Sequence, residues 1–408
     1  MTNSDNSETG ENIGRARTAI IGTATTYLVA LACGLLAANL YYAQPLISLI
    51  GREFGVDPGA LGLIVTLTQI GYCLGLLAIV PLADFFEYRR LVMALVLAAA
   101  AAMALAGSAA SAPLFLVAVM AAGIFSVGAQ VLIPMAASLA PPGRQGRVIG
   151  TIMAGLLGGI MLARPFSSAL AEWAGWRMAF LIPSLALGLL ALLLWKMLPQ
   201  HRSEAAPDVA GIVRSMAAIV RDEPVLLRRA FYQACLFAAF NLFWTASPIV
   251  LESELGLDHG DIALFALAGA GGALAAPLAG RLADRGLTRV GSAAAMALLA
   301  ASFALTLPAL ALASVVALAV LAVLLDAATQ ANQVLSQNVV YSLRPEARGR
   351  INAIYMTLMF VGGALGSGLA PFLYVSGGWT LCAAAGTGLA LLALAVFATE
   401  RRKTPRPA

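Results

Sequence analysis

The sequence predicts an all-α membrane protein: twelve transmembrane helices in two pseudo-symmetric six-helix bundles, with both termini cytoplasmic. Three observations lead there. Of the 408 residues, 61% are hydrophobic and only 11% are charged, with a mean hydropathy of +0.88, so lipid is the expected solvent. Apolar runs of about 20 residues, the length that spans a bilayer, follow one another almost without pause. The second half of the chain repeats the first.

The elements follow in order. After a polar tail (1–18) that leads into an apolar run with no small-residue cleavage site, the first bundle (19–198) is expected to hold helices near 19–49, 59–83, 91–111, 113–140, 148–172 and 176–198. The hydrophilic stretch 199–228 carries charges of both signs and reads as a cytoplasmic linker, with a short interfacial helix from Val209 to Val220. The second bundle (229–399) is expected to hold helices near 229–252, 260–283, 290–308, 311–342, 351–375 and 378–399, before a tail at 400–408.

Charge orients these helices, because basic residues are retained on the cytoplasmic side. Twenty-two of the 25 Lys and Arg residues fall in the two tails and the even-numbered connections; Arg52 and Arg177 lie on the opposite side and Arg164 lies inside a helix. The net charge of +5 is therefore a topology signal, and no nucleic-acid partner is expected. The four cysteines, Cys33, Cys73, Cys235 and Cys382, stand singly in apolar runs and read as packing residues; no metal and no cofactor are expected. No phosphate-binding loop ending Gly-Lys-Ser/Thr occurs, which argues against direct ATP coupling. An intramembrane enzyme would need clustered His, Asp or Cys in the spans, and the only histidines, His201 and His259, fall in loops.

The internal repeat rests on five anchors. Asn39-Leu40-Tyr41-Tyr42 followed by Pro45 is echoed by Asn241-Leu242-Phe243-Trp244 followed by Pro248, at an offset of 202. Leu82-Ala83-Asp84 matches Leu282-Ala283-Asp284 at 200, and Gln130-Val131-Leu132 matches Gln333-Val334-Leu335 at 203. Gly146-Arg147 and Gly175-Trp176 recur as Gly349-Arg350 and Gly378-Trp379, again at 203. Nearly one spacing throughout implies a duplicated six-helix unit.

The loop Gly280-Arg281-Leu282-Ala283-Asp284-Arg285-Gly286 resembles the signature loop of the major facilitator superfamily, and the resemblance covers the whole chain. Asn39 to Pro45, with the stretch from Leu325 through Gly349-Arg350-Ile351-Asn352 to Gly366, resembles the bacterial drug-efflux-type branch, twelve-helix drug:proton antiporters. The resemblance implies a rocker-switch carrier in which helices 1, 4, 7 and 10 line a central cavity. It also implies a cytoplasmic gate made by the loop acids with nearby basic residues, here Asp84 with Arg89 and Arg90, and Asp284 with Arg285 and Arg289. The first loop departs from the pattern at Phe85 and Glu87. Helix 5 shares Gly150 and Gly159 with the glycine-rich antiporter signature, but Ala163 and Arg164 stand where glycine and proline are expected.

Two charges lie deep in the spans, where each costs at least ~2.5 kcal/mol at mid-bilayer and is therefore usually paired and functional. Arg164 lies 17 residues beyond Arg147 and Asp326 18 before Arg344, so both sit about 25 Å from those loops. They share a level, and an Arg164–Asp326 pair between the bundles is expected. Two meanings stay open: a proton site at Asp326 balanced by Arg164, or a permanent latch. Gln330, Gln333 and Gln337 follow Asp326 on one helical face, which must look at protein or a wet cavity. Further cavity candidates are Asn39, Tyr42 and Gln44 in helix 1, Gln130 in helix 4, and Gln233, Asn241 and Trp244 in helix 7, beside Phe237 and Phe240. The expected function is secondary active transport of a small organic molecule across the inner membrane, by a monomer exchanging it for protons. Proton-linked uptake or facilitated passage of a metabolite such as a sugar or organic acid is the alternative.

Overall fold

A computed structural model describes residues 21–141, 144–199, 209–269, 271–272, 275–344 and 347–400. The predicted tails, apart from Glu400, and residues 200–208 of the linker lie outside the described residues, as does the side chain of Asp84. The described chain is helical from end to end, with α1 (Thr23–Ala38), α2 (Ile47–Phe54), α3 (Leu63–Ala78), α4 (Tyr88–Gly107), α5 (Ala112–Phe125), α6 (Gly128–Ser138), α7 (Gln145–Ala174) and α8 (Met178–Met197) in the first half. After the linker helix α9 (Val209–Asp222), the second half runs through α10 (Pro224–Ser253), α11 (His259–Gly269), α12 (Ala275–Asp284), α13 (Thr288–Ala311), α14 (Val315–Tyr341) and α15 (Arg348–Ala398).

Nine helices among the described residues are long and apolar enough to cross a bilayer. Three differences from the sequence expectation have local causes. The first predicted span breaks after Ala38, because Pro45 lacks a backbone donor and a short 3₁₀ turn, Gln44–Leu46, carries the chain into α2. The fourth breaks between α5 and α6 at Ser126 and Val127. Asn39 Nδ2 donates to Ser126 Oγ across 3.1 Å and so ties the first break to the second. The eighth span is divided into α11 and α12, in the glycine-rich run that contains Gly269, Gly271 and Gly272. Predicted spans 11 and 12 are two helices within α15, divided at Gly377 and Gly378 as expected, where Gly378 takes a φ of 62° that side-chain-bearing residues avoid.

Within the first half, α1 and α7 meet through glycines. A Cβ on Gly159 would strike the backbone of Gly34, and one on Gly155 the backbone of Ala30. Small residues one turn apart let two helices approach until their backbones touch. Between the halves, α3 packs along α15 and α7 packs against α11, and α11 also touches α14.

Candidate functional site

The polar chemistry of the interior is concentrated where the halves meet. Starting at the end that carries Arg52, an exposed ion pair joins Arg52 to Glu252 at 2.5 Å. Next comes a node on Asn241, whose side-chain oxygen accepts from Gln44 Nε2 (3.0 Å), Gln69 Nε2 (2.6 Å) and Ser367 Oγ (3.5 Å). Three donors from α3, α15 and the turn before α2 thus converge on one amide oxygen of α10, and Asn241 Nδ2 fixes that side chain by donating to Phe237 O at 2.9 Å. Along α3 and α15 the halves are further joined by Thr66 to the carbonyl of Ala364 (3.0 Å) and Cys73 to that of Thr357 (3.6 Å).

Arg164 attaches to this node, its Nε donating to Gln44 Oε1 at 2.8 Å. Its guanidinium lies against three rings, with the carbon 4.9 Å from the Tyr41 centroid, 5.0 Å from Phe240 and 4.6 Å from Trp244. Such cation–ring contacts are each worth on the order of 0.5–2 kcal/mol once water is removed, and they help a charge that is 4% exposed to persist there. One nitrogen, Nη2, has no hydrogen-bond partner among the described residues.

Asp326 is the only acidic side chain buried among the described residues. It makes no direct ion pair with Arg164, which corrects the expected pairing. Instead the Trp244 indole stands between them: its Nε1–H donates to Asp326 Oδ1 at 2.7 Å while its ring meets Arg164. The physical reason is the placement of α11 beside both α7 and α14. Gly269 on α11 leaves the space that the indole fills, and Gly272 packs directly against the Asp326 side chain, so any Cβ at either position would collide. One aromatic ring thus touches both charged side chains.

A cavity of about 340 Å³ lies on the linker side of this layer. Tyr41 and Phe240 form part of its wall, so two of the rings that hold Arg164 also face the cavity. Gln130, Gln330, Gln333 and Gln337 line it, together with Phe237. Toward the linker end it is lined by Tyr341 and Asn352, and Asn352 Nδ2 reaches Gln130 Oε1 at 3.5 Å across the halves.

The other cavity candidates are placed elsewhere. Asn39 bonds Ser126, and Tyr42 faces a crevice between α1 and α7 beside Phe166. Gln44 and Asn241 belong to the inter-half node, and Trp244 to the charged layer. Gln233 is consumed in helix packing, donating to Thr329 O at 3.3 Å and accepting from Asn332 at 2.8 Å. The face shared by Gln233, Phe237, Phe240 and Trp244 is therefore divided: the two phenylalanines border the cavity, and the polar members turn to neighbouring helices. The loop residues expected to form a gate also have other partners. Arg89 stacks on Trp195, Arg90 pairs with Glu87 at 2.8 Å, and Arg289 donates to the carbonyl of Glu400 at 2.8 Å. Asp284 and Arg285 are exposed, and no ion pair joins Asp284 to Arg285 or Arg289.

Sequence reasoning missed Gln69, Tyr41, Asn352 and Ser367, and also Tyr72, which lines the cavity and whose hydroxyl accepts from Gln130 Nε2 at 3.1 Å. Gln69 carried a usable signal, as a lone amide in an otherwise apolar run; Asn352 stood next to a repeat anchor. Arg229, at the start of the predicted seventh helix, is buried against Ser292 (3.1 Å) and Glu400 (3.4 Å).

Comparison with known proteins agrees with this architecture. The pattern of the family described as Major Facilitator Superfamily matches residues 29–324 and again 230–408. The "Uncharacterized transporter YgaY" of Escherichia coli O157:H7 is 39% identical over 382 residues, covering 92% of this chain and 95% of that protein. A "Chloramphenicol resistance protein" of Streptomyces lividans is 28% identical over 264 residues, 64% of this chain and 66% of that protein. Among solved structures, a bacterial homolog of the human lysosomal transporter Spinster, in an inward-facing and occupied conformation, superposes with a TM-score of 0.67 at 16% identity, covering 92% of this chain and 93% of that one.

Proposed function

Because this chain belongs to the major facilitator superfamily, and is a multi-pass membrane transporter of that class rather than an enzyme, we propose that it exports a small organic amphiphile across the inner membrane in exchange for protons. In this reading the chain crosses twelve times with both termini in the cytoplasm, so the Arg52 end faces outward, away from the cytoplasm, and the linker end is cytoplasmic. It works as a monomer by alternating access. The cavity between the halves is the substrate chamber, closed outward by the Arg52–Glu252 pair and the Asn241 node. The chloramphenicol resistance named for the Streptomyces relative favours export over uptake.

The observation that carries the reading is the burial of one carboxylate at the head of an amide-lined helix face, joined by a single indole to a guanidinium in the other half. A buried carboxylate and a buried guanidinium held apart are costly together when both are charged, so a proton can move between states at Asp326. Deprotonated Asp326 holds Trp244 and, through it, Arg164 and the outer closure. Protonation weakens the indole bond and frees the ring to move, which unfastens Arg164 from the layer. Proton and substrate then act on opposite sides of the same aromatic layer, coupled by its movement.

The test is flux in proteoliposomes with and without an imposed pH gradient, using chloramphenicol and a panel of dyes. Gradient-driven accumulation by the wild type, and its loss in Asp326→Asn, is expected. Accumulation by Asp326→Asn equal to wild type would remove Asp326 from the mechanism, and flux indifferent to the gradient would favour facilitated passage.

A further inference from the structure

The two walls of the cavity differ in chemistry, and on the reading that the cavity is the transport path this difference defines the ligand. The α7 wall supplies hydrocarbon and thioether, with Ile149, Met153, Leu156 and Ile160, while Tyr41, Tyr72 and Gln130 are the polar groups that the first half brings to the lining. The α14 wall supplies amides, with Gln330, Gln333 and Gln337, beside apolar side chains of the same half such as Phe237, Met356 and Phe360. Among the described residues, none lining the cavity is charged. The nearest interior charges are turned to other partners, Asp326 to the Trp244 indole and Arg164 to Gln44.

The amides are not equally occupied. Gln44, Gln69 and Asn241 are bound into the inter-half node, and Gln233 into helix packing. Gln330 and Gln333 make no side-chain hydrogen bond to the described residues, and Gln337 reaches only the sulfur of Met356, at 3.9 Å. A primary amide offers both a donor and an acceptor in one plane. Two such groups one turn apart on one helix, facing an apolar wall, can pair with an edge that alternates donor and acceptor.

We infer that the ligand is an uncharged amphiphile: an aromatic or aliphatic body laid against α7, and a carboxamide-like donor–acceptor edge paired with Gln330 and Gln333. Methionine adapts its shape to what it touches, so Met153 on one wall, with Met356 and Met359 opposite, tolerates varied bodies. Neutrality and the polar edge are what the site selects. A permanent charge of either sign would enter without a counter-charge and without its water.

Binding, measured apart from flux, tests this. Three compounds share one body and differ in charge: 2-naphthamide, 2-naphthoate and 2-naphthyltrimethylammonium. Titrated calorimetrically into the full-length protein in detergent, the carboxamide is expected to bind, and each charged compound to bind at least about a hundredfold more weakly. Gln333→Leu and Gln330→Leu should each weaken carboxamide binding by roughly tenfold. Gln333→Glu should raise affinity for the cation above that of the wild type. Equal binding of the three compounds by the wild type, no binding of any, or carboxamide binding indifferent to both leucine variants would overturn the inference. The charge comparison uses the wild type alone, so a misfolded variant cannot obscure it. Carboxamide binding without gradient-driven flux of any solute would instead defeat the transport coupling and leave the ligand assignment standing.

Discussion

Trp244 is the side chain on which most of the interior chemistry turns, since its N–H meets Asp326 and its face meets Arg164. The two interactions can be separated. Trp244→Phe keeps a ring for the guanidinium but removes the donor, and a hydrogen bond to a charged group contributes about 1.5–3 kcal/mol. Substrate counterflow without a gradient should persist in this variant, while accumulation driven by the pH gradient should fall by at least about tenfold. Retained gradient-driven accumulation would show that the indole N–H does not couple the charges. The sequence made Arg164 and Asp326 conspicuous because charge is rare in lipid, and it placed them at one depth from residue counts. It could not show that a third residue lies between them, because that depends on the space Gly269 leaves on a separate helix.

At the scale of elements, the fold is held by close helix crossings that sequence shows only as glycine spacing. Along α7, Gly155 and Gly159 press on the backbone of α1, whereas Gly158 has open space beside it. Gly159→Leu should therefore force α1 and α7 apart and lower thermal stability in detergent by at least about 1–3 kcal/mol, while Gly158→Ala should leave it nearly unchanged. Thermal unfolding followed by size-exclusion chromatography separates the two, and similar losses for both would refute the crossing. A second joint ties α2 to the turn between α7 and α8: Trp176 Nε1–H donates to Glu53 at 2.5 Å, and Arg177 pairs with the same carboxylate. These partners, the indole bond first, hold the Glu53 carboxyl below the usual range. Its contribution to stability is thus present above the unfolded-state value and is lost as the pH falls through the lower, folded one. Glu53→Gln should flatten the acid side of a stability–pH profile; an unchanged acid limb would exclude this joint as a contributor.

At the scale of the molecule, the ties between halves are unevenly spread. Toward the Arg52 end stand the Arg52–Glu252 pair, the Asn241 node and the bond from Thr66 to Ala364. Beside the cavity, toward the linker, only the 3.5 Å bond from Asn352 to Gln130 spans the halves among the described polar contacts, apart from the Cys73 sulfhydryl. The Arg52–Glu252 pair is solvent-exposed, so it is worth about 1 kcal/mol or less. Arg52→Glu should consequently shift the open-to-closed ratio at that end by no more than a few-fold, and Arg52→Glu combined with Glu252→Arg should restore it. Spin-label distances across that end would report both, and a double variant no better than the single would discount the pair.

What the sequence determined by itself was the solvent, the helical class, the duplicated halves and the depth of the two interior charges. Each of these follows from properties summed along one chain: apolar length, periodicity, offset and residue count. The amide face of α14 was legible for the same reason, since its period lies within one helix. What only the tertiary structure decided was which polar groups meet. Gln44 and Asn241 became a closure, Gln233 became packing, and Gln330 and Gln333 were left free to face the cavity. Those outcomes depend on the rotation of each helix against its neighbours and on the breaks in the first, fourth and eighth spans. Hydrophobic burial in lipid leaves rotation nearly undetermined, and close packing of specific side chains sets it.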